Sequence, residues 1–225
     1  MLRICIEKSW ITQGYSMKTI IQGNFSRKQT KVYGQGSDEK PAPVYQLKIS
    51  LAFSDPLIWR RIRVPGATTV ARLHDIIQLC MGWQDCHAHR FLIGKVFYAP
   101  SSGGELWART GERNEREYQL ADLEKDIRFC FSYIYDFGDG WEHEIECEQS
   151  LPAVQNPGYP VLLAGEGACP PENVGGVPGY DEFLAIINNP QHNSHRKMAK
   201  WLGADHFDPD RFDMDGINAA LKILA

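Results

Sequence analysis

One histidine, His143, falls among aromatic side chains in the run YIYDFGDGWEHEIECE from Tyr133 to Glu148, and two more, His87 and His89, stand two apart in CHAH. Imidazole is the side chain most easily set to donate, accept or ligate near neutral pH. On a strand, His87 and His89 would project the same way and could chelate one metal. With His143, Cys169 or Glu172 they would supply the N, S and O ligands that zinc accepts. A divalent metal such as zinc on His87, His89 and His143 is therefore one expectation. Such an ion, with Asp136 or Asp139 nearby, would activate water in a metal-dependent hydrolase or nuclease-like enzyme. The competing reading makes His143 a core residue, satisfied by a tyrosine hydroxyl or a backbone carbonyl. Burial among rings would then lower its pKa and keep the ring neutral.

The hairpin around Gly138-Asp139-Gly140 decides what His143 faces. A two-residue turn at Asp139-Gly140 would set Asp136 opposite His143, a carboxylate–imidazole dyad. A three-residue loop with Gly140 in the left-handed conformation would pair Phe137 with Trp141 and Tyr135 with His143. A slip of one residue moves every side chain of a strand to the other face, so burial chooses between them. The longer loop collects Phe129, Phe131, Tyr133, Tyr135, Phe137, Trp141, His143, Ile145 and Cys147 on one side and Glu142, Glu144, Glu146 and Glu148 on the other. The shorter one leaves no dry face. The three-residue loop is expected, with the glutamates forming a solvated row.

Other constellations carry less. ACPPENVGGVPGYDEF combines a Pro-stiffened backbone with Gly175, Gly176 and Gly179 and leads into a helix, but its spacing matches neither phosphate-binding glycine signature. The aspartates of DHFDPDRFDMDGIN miss the calcium-loop pattern and suit turns and a helix cap. Arg60, Arg61 and Arg63 on one segment, and Arg196, Lys197 and Lys200 on another, could touch phosphate.

These residues need elements to hold them. VYQLKISLAF and LIWRRIRVP alternate as two strands around Ser54-Asp55-Pro56. Thr68 or Thr69 caps a helix in which Val70, Leu73, Ile76, Ile77 and Cys80 form one apolar face, ended by Gly82. HRFLIGKVFY reads as one strand, YQLADL as a turn, IRFCFSYIYDF as a strand. LPAVQNPGYPVLLAGEGACPPENVGGVPGY looks too rich in Pro and Gly for regular elements. Helical pattern returns in YDEFLAIINN, SHRKMAKWLG and DGINAALKIL. The class is α+β, a β-grasp-like mixed sheet with one packed helix and a C-terminal helical segment; the β-grasp likeness is one of element order.

Residues 1–43 read as an N-terminal extension and flexible linker, with Met17 an alternative start that would leave residues 1–16 outside the native protein; 44–225 read as a single domain. The 225 residues, 43% hydrophobic and 23% charged, suffice for a buried core. A net charge of −4 gives no bulk attraction to nucleic acid or to an anionic membrane. Six scattered cysteines without a C-x-x-C pair argue against a disulfide framework. With no apolar stretch of membrane-spanning length, a cytoplasmic protein without a membrane partner is expected.

Taken together, PLIWRRIRVP with the following helix, YDFGDGWEHEIECE, and GACPPENVGGVPGYDEF leading to FDPDRFD resemble the plasmid pRiA4b ORF-3-like family over roughly residues 44 to 222. The resemblance implies an α+β domain of bacteria and archaea, often carried on plasmids or mobile elements, without an established activity. The matching positions include Asp136, Asp139, Trp141, His143, Cys169, Glu172 and Tyr180; CHAH fits only loosely. Tyr135, Asp136, Asp139, Trp141, His143, Cys169, Glu172 and Tyr180 are the candidate binding residues, and no catalytic set is complete. A binding or interaction module comes first, the metalloenzyme second. A nucleic-acid-binding accessory protein comes third, and the partner is a protein or a nucleic acid.

Overall fold

The computed structural model describes residues 42–101, 111–128, 130–153 and 160–224. Of the expected extension over 1–43, all but the last two residues lie outside the described residues, as does Phe129. β1 (Val44–Leu51) and β2 (Trp59–Pro65) form the first hairpin. α1 (Val70–Met81) follows, with the Thr69 hydroxyl accepting from the Arg72 amide at 3.1 Å and Gly82 closing it at φ 95°. Val70, Leu73, Ile76, Ile77 and Cys80 are buried, as their spacing requires.

HRFLIGKVFY, expected as one strand, is two: β3 (His89–Ile93) and β4 (Val96–Ala99) pair across Gly94-Lys95. Gly94 takes φ 62°, which a two-residue hairpin turn demands. β5 (Arg113–Asn114) adds a parallel edge to β4. A 3₁₀ turn (Leu120–Leu123) runs into the short α2 (Glu124–Ile127), then β6 (Cys130–Tyr135) and β7 (Trp141–Leu151). β8 (Val161–Glu166) emerges from the passage expected to be too irregular for regular structure and pairs with β2. Its free edge is closed by one side chain: the Leu162 amide donates to Asn218 Oδ1 at 2.8 Å, and Asn218 Nδ2 donates to the Leu162 carbonyl at 3.0 Å. Residue 218 thus stands in for a neighbouring strand. α3 (Gly176–Ile187), α4 (His195–Leu202) and α5 (Met214–Ile223) complete the chain.

The eight strands form one mixed sheet in the order β5-β4-β3-β6-β7-β1-β2-β8, so the α+β class holds. The β-grasp comparison extends only to the order hairpin, helix, strand. One face is dry: Tyr45, Leu47, Ile49, Ile62, Val64, Phe91, Phe131, Tyr133, Tyr135, Trp141 and Ile145 pack there with α1. Three polar side chains, Arg60, His89 and His143, share that face. No helix among the described residues is long and apolar enough to cross a membrane.

Candidate functional site

The hairpin loop is longer than expected. Tyr135 pairs with Trp141 and Tyr133 with His143, leaving the five residues 136–140 as the loop. The difference from the expected register is two residues, so the faces survive while the partners change. Gly140 is left-handed at φ 69° as required, but Phe137 leaves the apolar face and is 56% exposed. Asp136 turns the chain at φ 54°, its Oδ1 accepting from the Gly138 amide at 2.9 Å and its carbonyl from the Gly140 amide at 2.6 Å. An aspartate tolerates that conformation because its own carboxylate closes the turn.

Strand pairing then gathers four loops at one end of the sheet. Leu51 lies opposite His143, His89 opposite Tyr135, and Trp59 opposite Glu166. The turns 52–58 and 136–140, the loop 82–88 and the Pro/Gly loop 167–175 therefore meet. Phe53, 80% exposed, and Phe137 project from two of them. The Pro/Gly loop is pinned down on this end: the Gly175 amide donates to Asp139 Oδ2 at 3.0 Å, and Trp83 Nε1 donates to the Pro170 carbonyl at 3.0 Å. A Cβ at Gly176 would collide with the Asp139 carbonyl oxygen, which explains a glycine there.

Between these loops sits a polar cluster. Glu172 Oε1 accepts from the Gln84 amide at 2.9 Å and from the Tyr135 hydroxyl at 3.0 Å, and that hydroxyl in turn accepts from the Cys86 amide at 3.0 Å. His87 Nε2 stands 3.4 Å from Asp136 Oδ2 and 3.7 Å from Glu172 Oε2. Neither contact has hydrogen-bond geometry, so His87 Nε2 and Glu172 Oε2 are buried atoms without a hydrogen-bond partner. Burial raises the Glu172 pKa, against the lowering effect of its two donors and of His87. Tyr135 is likewise pushed far up by burial and by Glu172, which keeps it a hydroxyl.

The remaining candidates go elsewhere. His143 is 1% exposed, its Nδ1 3.3 Å from the Tyr133 carbonyl and its ring edge-on to Trp83 at 5.3 Å. Burial lowers its pKa to about 4, so the ring is neutral. Trp141 is fully buried beside Trp83. Tyr180 packs on Phe183 and Phe207, its hydroxyl 3.5 Å from the Ala168 carbonyl. Cys169 is half-buried, and burial pushes its thiol well up despite the nearby Arg60 guanidinium. His87, His89 and His143 do not come to one point: among the described residues the one group of three such ligands whose atoms all lie within 4.8 Å of one another is His74, Asp85 and His89.

The arginine cluster is not a free cationic patch. Arg60 is 2% exposed and donates to the carbonyls of Cys80, Trp59, Glu166 and Gly167, each at 2.8 Å. It ties α1 to the edge of β8. Arg61 grips Glu148 through two bonds at 2.6 and 2.7 Å, and Arg63 reaches Gln46. Glu148 therefore leaves the solvated row, which Glu142, Glu144 and Glu146 keep; a bulge between Gln46 and Leu47 shifts the register there. A surface depression of about 530 Å³ along α4, lined by His195, Arg196, Lys200 and Asp205 among others, shares no residue with the polar cluster.

Sequence reasoning passes over His74, Trp83, Asp85 and Glu115. His74 carries a signal, since it lies four residues after Val70 on the apolar stripe of α1. Glu115 carries none, because it reaches the core from an irregular loop.

Residues 43–216 match the model of the plasmid pRiA4b ORF-3-like protein family. The chain is 37% identical over 185 residues to uncharacterized protein y4hQ of Sinorhizobium fredii, covering 82% of this chain and 93% of that protein. It is also similar to the crystal structure of a protein of unknown function from Methanosarcina mazei Go1, with a TM-score of 0.68 and 33% identity over 77% of this chain and 97% of the other.

Proposed function

The chain belongs to the plasmid pRiA4b ORF-3-like family, and from the polar cluster we propose that it is a binding module whose site is the loop end of the sheet around His87, Asp136 and Glu172, taking a ligand that presents an ammonium or guanidinium group. One observation carries this reading: Glu172 Oε2 and His87 Nε2 are buried, converge with Asp136 Oδ2, and have no hydrogen-bond partner. Leaving such atoms unpaired costs about 1–3 kcal/mol each. An organic cation supplies the donors and the charge that two carboxylates and an imidazole lack. Phe137, next to Asp136 and 56% exposed, carries the Arg90 guanidinium 5.3 Å over one face of its ring and would offer the ligand's apolar part the other. The fixed half of the cluster is preorganised, because Glu172 Oε1 and Asp136 Oδ1 are already held by backbone amides and Tyr135. The Arg60–Arg63 segment gives a nucleic-acid partner little support, with Arg60 buried and Arg61 paired, while Arg196, Lys197 and Lys200 stay exposed on α4.

Titration with arginine and with cadaverine, followed by amide chemical shifts, tests it. The shifts should move at Gln84–Ala88 and Asp136–Gly140 and stay still along α4. Glu172→Gln should weaken binding about tenfold or more, while raising unfolding stability on the order of 1 kcal/mol by removing a buried, half-paired charge. Shifts absent from those loops, or unchanged affinity in Glu172→Gln, would rule the reading out.

A further inference from the structure

Behind the polar cluster, on the other side of loop 82–88, two imidazoles lie face to face. The rings of His74 from α1 and His89 from β3 have centroids 3.4 Å apart and planes 5° from parallel. Both side chains are sealed, with 4% and 6% exposure. His74 Nε2 lies 3.0 Å from Asp85 Oδ1, and the carboxylate of Asp85 is 59% exposed.

We propose that His74, Asp85 and His89 form a binding site for one divalent transition-metal ion, with zinc the best fit. Their ligand atoms already lie within 4.8 Å of one another. The ligand set, two imidazole nitrogens and one carboxylate, is that of open zinc sites, which keep a further position for water or a ligand. Asp85 stands on the exposed side, so that position faces solvent.

A second, independent observation is the support behind each ring. A ligating histidine needs its far nitrogen held by an oxygen, which sets the tautomer and aims the ring. His89 Nε2 is 2.9 Å from Glu115 Oε2, a carboxylate only 4% exposed. Nδ1 is then the atom His89 turns to the ion. His74 Nδ1 is 2.8 Å from the Tyr133 hydroxyl, leaving Nε2 toward Asp85. Gln78, also buried, joins the parts: its Nε2 donates to the Tyr133 hydroxyl at 3.0 Å, and its Oε1 accepts from the Asp85 amide at 2.9 Å. That amide bond accompanies a left-handed φ of 52° at Asp85, whose carboxylate reaches back to the edge of the His74 ring. A buried glutamate set against the far nitrogen of one imidazole, and a left-handed aspartate fixed by a buried glutamine, exceed what ring packing alone requires.

Two parallel rings cannot both aim in-plane lone pairs at a single ion. Occupation must therefore open the stack, and the hydrogen bond between His74 and Asp85 gives way to two bonds to the metal. The ion would also fasten Asp85, two residues before His87, and so stiffen the loop that carries the polar cluster. The inference stands apart from the amine-binding reading, and either can fail alone.

Untagged, metal-stripped full chain titrated with Zn(II) by calorimetry, and with Co(II) by visible absorption, tests it. The expected result is one zinc per chain, with Co(II) bands of a four- or five-coordinate N/O site. Asp85→Asn, at an exposed position that leaves the core intact, should weaken zinc at least tenfold. Glu115→Gln, acting through His89, should weaken it about 10–100-fold, with circular dichroism confirming the fold. His87→Ala and Cys86→Ser should retain zinc, and the His74 and His89 ring signals should shift on binding. Absence of stoichiometric zinc in the unaltered chain overturns the proposal. So does binding that survives Asp85→Asn, or that is lost in His87→Ala or Cys86→Ser.

Discussion

His143 and His87 belong to the same end of the sheet, and each carries a buried Nε2 without a hydrogen-bond partner. Their neighbours differ completely. Around His143 stand Trp83, Tyr133 and Trp141, an enclosure that removes water and supplies no charge, so the ring is held neutral with a pKa of about 4. Around His87 stand Asp136 and Glu172, and the ring is 27% exposed. Enclosed by rings and 1% exposed, His143 packs as part of the core. A histidine at the rim between two carboxylates can meet a ligand. Trp83 is the wall between them, stacked on Tyr135 at 4.9 Å on the rim side and edge-on to His143 behind.

Removing that wall should have the largest effect. Trp83→Ala deletes a side chain only 5% exposed and is expected to destabilise the protein by about 3–5 kcal/mol. In whatever fraction folds, water would reach His143 and its pKa would climb back toward the 6.5 of a free imidazole, readable from the ring protons. A His143 pKa that stays low in this variant would show that the enclosure is built by Tyr133 and Trp141 alone.

Next in size is the pH dependence of the enclosed ring. The folded pKa is depressed from 6.5 to about 4, so the unfolded chain takes up the proton first. Stability is complete above about pH 6.5 and declines as pH falls toward about 4, by about 3 kcal/mol from this residue. His143→Leu should flatten that part of the profile in urea unfolding while leaving the shifts on arginine titration intact. An equal slope in both proteins would mean that some other group sets the acid limb.

The smallest effect separates the two faces of the same hairpin. Glu144 points to solvent one residue from His143, and Glu144→Ala should change stability by no more than about 0.5 kcal/mol. A loss of about 2 kcal/mol, well beyond the usual surface range, would mean that the acidic row is covered by something.

Much of the hairpin and of α1 is legible in the sequence, and the reasons are local. Alternation places Tyr133, Tyr135, Trp141 and His143 inward and Glu142, Glu144 and Glu146 outward, because the period of a strand is two and loops of three and of five residues keep the same faces. Helical spacing finds α1, and Thr69 and Gly82 bound it as caps. Gly94 hides inside an apolar run that reads as one strand, where it is in fact the turn of a hairpin. β8 escapes detection because an edge strand needs a partner on one side only and in this fold takes Asn218 on the other. Tyr135, Asp136, Glu172 and His87 all stand out by residue type and motif, yet nothing in their spacing brings residues 87, 136 and 172 together.

The sequence by itself determined what depends on neighbours in the chain: the periods, the caps, the turn formers, and hence which side of each strand is dry. Which polar groups share a site was decided only by the tertiary structure. Pairing β3 with β6 and folding the Pro/Gly loop back onto the hairpin set His87 between two carboxylates, His89 on the ring of His74, and His143 behind Trp83. Contacts across 26 to 59 positions, such as His89 with Glu115 and His74 with Tyr133, leave no periodic trace, because they arise where separate elements meet rather than within any one of them.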